Sequence, residues 1–463
     1  MFFCREKELS ELNELYNTGT FQCVVIYGRR RVGKTSLITE FCKDKPTVFF
    51  SALEASSGEN LEALSGVISD YKAPGSPAPV YRTYGDALSG ITELSKIEHL
   101  IFVIDEYPYL ARAEKSISSR LQHIIDHVWK SGNLFLILCG SSMSFMENQI
   151  LGYESPLYGR RTAQFKVLPL SYRETAAFNP QLGNEDQALV FGVTGGTPHY
   201  INSLGVQDDM DEALKRNFFR DSCYLFGEPE NLLKQELREP AVYNSVIAAI
   251  AQGATRQNEI ASKAGLDRAV CSKYLKVLLD LGILRKETPI TEKPGKKTIY
   301  SIRDNLFRFW YRFVPMNMSA ISSGRIERNY DLSIKPHIPG YMGLVFEQMC
   351  REYLLRYADD LPFPLTGVGQ WWGTDPEEKK EVQIDIVGTS ADPEEFIIGS
   401  CKYRNEPVGT DELELLRHYA DVFGKGRRYH YCIFSKSGFT RGLAQKAGKE
   451  DLRLVSLDDL YRK

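Results

Sequence analysis

Apolar and polar positions change period several times along this 463-residue chain. Behind the charged start Arg5-Glu6-Lys7-Glu8, the residues Leu9, Leu12, Leu15 and Tyr16 recur at helical spacing and predict an amphipathic helix. The unbroken run Cys23-Val24-Val25-Ile26-Tyr27 then reads as a strand covered on both faces. Thr47-Val48-Phe49-Phe50, His99 to Ile104, Asn133 to Cys139 and Gln164 to Leu168 repeat that signature, with helical stretches between them. Such alternation predicts an α/β fold with a parallel sheet. The stretch Lys72 to Pro79, rich in Pro and Gly, predicts a surface loop.

From Ala241 the pattern becomes helical. Val242, Val246, Ile247 and Ile250 mark one helix, Gln257 to Ala261 begin a second, and Gly265-Leu266-Asp267 form a turn ending in an N-cap aspartate. Val270, Tyr274, Leu275 and Leu278 give a third helix its core spacing, and a hairpin is predicted around Pro294-Gly295. The aromatic run Leu306 to Phe313 reads as a core or interdomain helix and not as a platform for bases. Beyond it lie a helix around Leu344 to Leu354 and two strands, Glu381 to Val387 and Glu395 to Tyr403.

Composition changes this picture little. A hydrophobic share of 43% and a charged share of 25% are ordinary for a globular chain. The 57 Lys/Arg and 60 Asp/Glu nearly cancel, so a nucleic-acid contact would need a local basic patch. One exists: between Gly253 and Arg303 eleven Lys/Arg stand against five Asp/Glu, a local excess of six positive charges. No apolar run is long enough to span a membrane, and the charged N-terminus lacks a signal-peptide core, so no membrane partner is expected. The nine cysteines are scattered singly without a C-x-x-C pair, which predicts reduced thiols in a cytoplasmic chain.

The chemistry concentrates at Gly28-Arg29-Arg30-Arg31-Val32-Gly33-Lys34-Thr35, followed by Ser36. Strand, glycine-bounded loop and helix follow one another there, the context that a G-x-x-x-x-G-K-[ST] match requires. The glycines let backbone N–H groups face a phosphate chain, Lys34 offers its charge to the β/γ-phosphates, and the Thr35 hydroxyl can ligate Mg²⁺. ATP and Mg²⁺ are therefore the expected ligands. The strand ending in Asp105-Glu106 supplies two carboxylates, Asp105 to hold Mg²⁺ and Glu106 as general base toward water. Ser141, after the Cys139-Gly140 strand end, is a candidate to sense the γ-phosphate or orient that water, or else a simple turn serine. Arg160 and Arg161 are candidates to stabilise phosphoryl charge, within one subunit or from a neighbouring one. In an additional-strand phosphate-loop fold, the strand before Ser141 lies between the two motif strands.

Phe3-x-Arg5-Glu6-x-Glu8-Leu9, GRRRVGKT, IFVIDEYPYL, LCGSS, SPLYGRR and GGTPHYI together resemble the archaeal-type ATPase family, close to the signal-transducing branch of AAA-related ATPases. The resemblance covers roughly residues 1–225. It implies that Arg5 and Glu6 pack near the nucleotide base and that Pro198 contacts the adenine side. The segment that follows resembles a winged-helix domain, with Arg268, Ser272, Lys273 and Lys276 on its recognition helix and Lys296 and Lys297 in its wing as candidates for duplex DNA. The last third resembles a PD-(D/E)XK nuclease-like domain. That resemblance implies a weak Mg²⁺ site from Glu347 and Asp385 with Lys402. Ser400 stands where the motif wants a carboxylate.

The expected fold is thus an α/β P-loop NTPase with an additional central strand, followed by a winged helix-turn-helix domain and an α/β nuclease-like domain. The expected boundaries are 1–225, 226–315 and 316–463. The leading functional expectation is an ATP-hydrolysing switch or remodeller that acts on DNA. The alternatives are a nucleotide-gated signalling protein with a protein partner or self-association and a degenerate tail, and an ATP-regulated metal-dependent nuclease.

Overall fold

The computed structural model describes residues 4–75, 80–206, 209–295 and 297–462. Contacts divide the chain into two compact units, one of residues 1–170 with 197–199, the other of residues 171–196 with 200–463.

The first unit is built on a five-stranded sheet of β1 (Gln22–Tyr27), β2 (Thr47–Ser51), β3 (Ile101–Asp105), β4 (Phe135–Gly140) and β5 (Ala163–Lys166), in the order β2-β3-β4-β1-β5. All four pairings are parallel. The additional strand β4 does lie between β1 and β3, as expected. Burial explains why the central strands are unbroken apolar runs. Alternate residues feed two separate cores: Val25, Tyr27, Phe102, Ile104, Leu136 and Leu138 face one, while Val24, Ile26, Ile101, Val103, Phe135 and Ile137 face the other. Helices such as Ser57–Lys72, Tyr84–Ile97 and Lys34–Cys42 cover the two faces. The loop expected at 72–79 begins after Lys72, the last residue of a helix, and its residues 76–79 lie outside the described residues.

The second unit begins at Ser171. Ser171 caps a short helix whose Tyr172 hydroxyl and Arg173 Nε both donate to the Leu460 carbonyl, at 2.7 and 2.6 Å. Residues 171–196 and 200–225, grouped with the ATPase domain on sequence, therefore pack with the C-terminal chain. The aromatic helix Asn305–Phe313 is buried at Leu306, Phe307, Phe309, Trp310, Tyr311 and Phe313, so it is a core element.

Three helices, Pro240–Ala251, Gln257–Ala264 and Arg268–Asp280, precede the antiparallel pair β6 (Leu284–Glu287) and β7 (Ile299–Ile302). Asp267 caps the third helix by accepting from Ala269 N at 2.8 Å. Val270 is 40% exposed, contrary to its expected core position, because Cys271, Leu275 and Leu278 form the inward stripe. The C-terminal sheet has the order β12-β11-β10-β9-β8, from β8 (Gly367–Thr374), β9 (Glu381–Thr389), β10 (Glu395–Lys402), β11 (Arg428–Ser435) and β12 (Leu452–Ser456). Strands β8, β9 and β10 pair antiparallel, and β10, β11 and β12 parallel. The helix Thr410–Gly424 covers one face through Leu413, Leu416 and Ala420. No described helix is long and apolar enough to cross a membrane.

Candidate nucleotide site and the C-terminal polar cluster

The phosphate loop leaves β1 at Gly28, where the chain runs so close to Val167 that an added Cβ would lie 2.3 Å from the Val167 carbonyl oxygen. Gly33, at φ +92°, turns the chain into the helix Lys34–Cys42. Val32 is buried between these glycines, and Arg29, Arg30 and Arg31 are half-buried. Arg30 Nη2 donates to the Tyr109 hydroxyl at 2.8 Å. Arg5 is buried and donates to the carbonyls of Val32 at 3.3 Å and Leu168 at 2.5 Å. The first helix is thereby tied to the loop, with Glu6 on its exposed side. Pro198 belongs to the same unit, its Cγ 3.9 Å from the Cβ position at Gly33.

Lys34 is only 6% exposed, and its ammonium is held by the carbonyls of Gly28 and Arg29, each at 3.0 Å. Burial lowers its pKa, while the Asp105 and Glu106 carboxylates act in the opposite direction. Thr35 Oγ1 donates to Asp105 Oδ2 at 3.0 Å, which joins the loop helix to the end of β3. Asp105 is buried, and its other oxygen accepts Glu106 N at 2.9 Å. Glu106 itself adopts the left-handed conformation, φ 49° and ψ 42°. Ser141, just past β4, donates to its two carboxylate oxygens at 3.1 and 2.9 Å. Lys34, Thr35, Asp105, Glu106 and Ser141 thus meet at the carboxyl ends of three adjacent parallel strands, the general ligand position of an open α/β sheet. Ser36 is exposed on the loop helix. The donor set fits the expected ligands: Lys34 offers a cation to phosphate at the start of the loop helix, and two oxygens 3.0 Å apart suit a hard cation.

The two arginines are placed differently. Arg160 makes a forked contact with Asp126, Nη2 to Oδ2 at 2.6 Å and Nε to Oδ2 at 3.0 Å, and Nη1 donates to the carbonyls of Pro156 and Tyr158. Its guanidinium holds the Asp126 carboxyl at about 2, below the usual range. Arg161 Nη1 donates to the Leu151 carbonyl at 3.4 Å and lies close enough to Tyr27 to act on its phenol.

In the second unit Arg268, Ser272, Lys273 and Lys276 are all exposed along the third helix. Lys297 is paired with Glu292 at 2.6 Å, and Lys296 lies outside the described residues. Between β6 and β7 the chain packs on the sheet edge: Ile290 N donates to the Gln370 carbonyl at 3.0 Å, and Ile290 Cδ1 would lie 3.1 Å from a Cβ at Gly369.

At the C-terminal sheet, Glu347 projects from the helix Ile338–Arg356 and accepts Arg351 Nη2 at 2.9 Å. Burial first, and the Asp385 charge second, raise the Glu347 carboxyl to about 7. Asp385 on β9 accepts Cys401 N at 2.9 Å. Lys402 ends β10 and reaches Glu412 at 3.1 Å, and Ser400 Oγ donates to the same Glu412 oxygen at 2.7 Å. Glu412 is absent from the motif reading because its signal is not local: it enters from the helix Thr410–Gly424. A separate set, Asp375, Glu378 and His418, has ligand atoms within 4.8 Å of one another. Asp375 accepts the N–H groups of Glu377 and Glu378 and pairs with His418, which closes the β8–β9 turn.

Known proteins resemble both ends of the chain. Residues 2–204 match the family model described as an ATPase domain predominantly from Archaea. Residues 310–414 match the model of archaeal and bacterial proteins of unknown function. An uncharacterized protein of Methanocaldococcus jannaschii is 30% identical over 441 residues, covering 92% of each chain. An uncharacterized ATP-binding protein of the same organism is 44% identical over 45 residues, 10% of this chain and 76% of that one. Among solved structures, the Walker-type ATPase of Pyrococcus abyssi superposes with a TM-score of 0.53 at 22% identity, covering 67% of this chain and 96% of that one.

Proposed function

The chain belongs to the archaeal-type ATPase family, and on that premise we propose that it hydrolyses ATP with Mg²⁺ as a switch or remodeller that associates with duplex DNA. The observation that carries this reading is the pair of side-chain bonds Thr35–Asp105 and Ser141–Glu106, which bring loop, metal-holding carboxylate and base together. In this proposal Thr35 and Asp105 hold Mg²⁺, which neutralises phosphate charge when bound. Lys34 exchanges its two carbonyls for β- and γ-phosphate oxygens. The loop residues 28–36 cradle the phosphates, and Pro198 borders the nucleotide. Glu106, oriented by Ser141, accepts the proton of a water whose oxygen bonds to the γ-phosphorus as the β–γ bridging P–O bond breaks. ADP and phosphate leave. Arg161 is the better placed of the two arginines to meet phosphoryl charge, because Arg160 is committed to Asp126.

DNA association rests on Arg268, Ser272, Lys273 and Lys276, exposed on one helix of a winged-helix segment taken as residues 226–315. A second reading, a nucleotide-gated protein with a protein partner or self-association, draws support from the wing. Ile290 is packed on the sheet edge and Lys297 is paired with Glu292, so the wing is already engaged within the chain. Steady-state ATP hydrolysis with and without duplex DNA separates the two. The DNA reading expects salt-sensitive stimulation that disappears when Arg268, Lys273 and Lys276 are all replaced by Glu. Turnover and DNA affinity that ignore both DNA and the triple replacement would overturn it in favour of the protein-partnered switch.

A further inference from the structure

The phosphate loop carries more positive charge than its lysine alone supplies. Arg29, Arg30 and Arg31 stand just before Lys34, and all three are half-buried. The Arg30 charge reaches the Lys34 ammonium: burial lowers the Lys34 pKa most, and Arg30 acts in the same direction. Like charges held this near each other in a partly desolvated loop favour an anion that both can meet.

Arg30 is also the loop's tie to the base. Its Nη2 donates to the Tyr109 hydroxyl at 2.8 Å. Tyr109 lies in the first turn of the helix Tyr107–Ala113, and its N–H donates to the Glu106 carbonyl at 2.9 Å. One bridge therefore runs from the loop to the turn that carries Glu106. Both ends of it adjoin strained backbone. Arg31 has φ 70° and Glu106 φ 49°, two of five non-glycine residues with positive φ among those described. Such conformations are costly for a residue with a side chain and collect where a chain clamps a ligand or changes state.

We propose that Arg30 and Tyr109 form a latch that distinguishes ATP from ADP: Arg30 rests on the Tyr109 hydroxyl while the γ-position is empty and leaves it for a γ-phosphate oxygen. The exchange runs in that direction because a guanidinium bonds a charged phosphate oxygen more strongly than a neutral phenol. ADP offers no γ-oxygen, so the latch stays closed. Its release by ATP frees the turn that carries Glu106, and the base adjusts to the water only with the full triphosphate in place. Tyr109 is thus a positioning residue that acts through Arg30 and the Glu106 turn. The latch presupposes nucleotide binding at the loop, as proposed above, and adds to it a means of reading the γ-phosphate.

The test is titration of the full chain, with Mg²⁺, by fluorescent ADP and by a fluorescent non-hydrolysable ATP analogue, read as the ratio of the two Kd values. Arg30→Ala should weaken the analogue by about tenfold, the worth of one hydrogen bond between charged groups, and leave ADP nearly unaltered. Tyr109→Phe removes the competing acceptor and should tighten the analogue several-fold without changing ADP. A merely structural bridge weakens both ligands together in either variant. Equal weakening of the two ligands in Arg30→Ala, or a ratio that Tyr109→Phe leaves unchanged, overturns the latch while nucleotide binding stands. A wild type that binds neither ligand overturns the ATPase reading and the latch with it. Tyr109→Phe loses only a hydroxyl, so it keeps the test decisive where melting shows that Arg30→Ala is unfolded.

Discussion

The two acidic centres of this molecule are built in opposite ways. In the first unit, the cation Lys34 and the hydroxyl Thr35 are sequence neighbours, Asp105 and Glu106 are sequence neighbours, and parallel strands bring the pairs together. In the second unit, Glu347, Asp385, Lys402 and Glu412 come singly from two helices and two strands. The first centre depends on strand order. The second depends on convergence: Glu412 from the helix Thr410–Gly424 meets Ser400 and Lys402 at the end of β10. Contiguity makes a cluster easily recognised in sequence; convergence makes it easily missed.

This contrast is broken most readily in the first centre. Glu106→Gln should lower ATP turnover by about 10²- to 10⁴-fold, the usual contribution of a general base, while nucleotide binding persists. Comparable binding loss in Glu106→Gln, measured by fluorescent-nucleotide titration, would mean that Glu106 serves the fold and not the reaction. Gly28→Ala should be nearly as harmful for a different reason. Its Cβ would enter the space of the Val167 carbonyl at 2.3 Å, and the forced shift is expected to cost about 1–3 kcal/mol in denaturant melts and to distort the loop.

Ser141→Ala sharpens the comparison at a smaller scale. Glu106 loses its two short contacts, and turnover should fall by about tenfold, the value of one hydrogen bond to a charged group at about 1.5 kcal/mol. Stability in the same melts should hardly change. The smallest effect belongs to Asp126. Its carboxyl is held near 2 by Arg160, below the unfolded value of about 3.9, so the folded state binds protons less readily than the unfolded one. The stabilisation is present above the unfolded pKa and is lost as pH falls through about 2. Asp126→Asn should flatten the acid side of the stability profile by lowering stability slightly at neutral pH and leaving the strongly acidic end unaltered, a small effect because the half-buried pair remains partly screened by solvent.

Much of the first unit is legible in the residues themselves. The fully buried runs Cys23–Tyr27, Ile101–Ile104 and Phe135–Cys139 announce strands covered on both faces, and the motif residues stand at their carboxyl ends. Strand β4 between β1 and β3 is what the additional-strand phosphate-loop fold implies, not what the runs themselves tell, and the sheet has it there. Pairings between distant residues are harder to read. No local pattern tells that Ser141 holds Glu106, that Arg160 is occupied by Asp126, or that Tyr172 reaches Leu460. Strands β8, β11 and β12 also go unread: Gly367–Thr374 is broken by glycines and a bulge, and Arg428–Ser435 begins with polar residues. Val270 misleads because helical spacing fits two neighbouring stripes, and packing chose the one through Cys271. Glu412 shows the limit most clearly, since helix periodicity alone makes it one more charge near the start of an amphipathic helix.

The central claim is that Lys34, Thr35, Asp105 and Glu106 form a working ATP-hydrolysing centre. A single-turnover measurement, with protein in excess over radiolabelled ATP and Mg²⁺, tests it most directly in wild type and Glu106→Gln side by side. Phosphate release is expected from the wild type, while the variant is expected to retain bound ATP and to release phosphate at least a hundredfold more slowly. Equal release by the two proteins would contradict it.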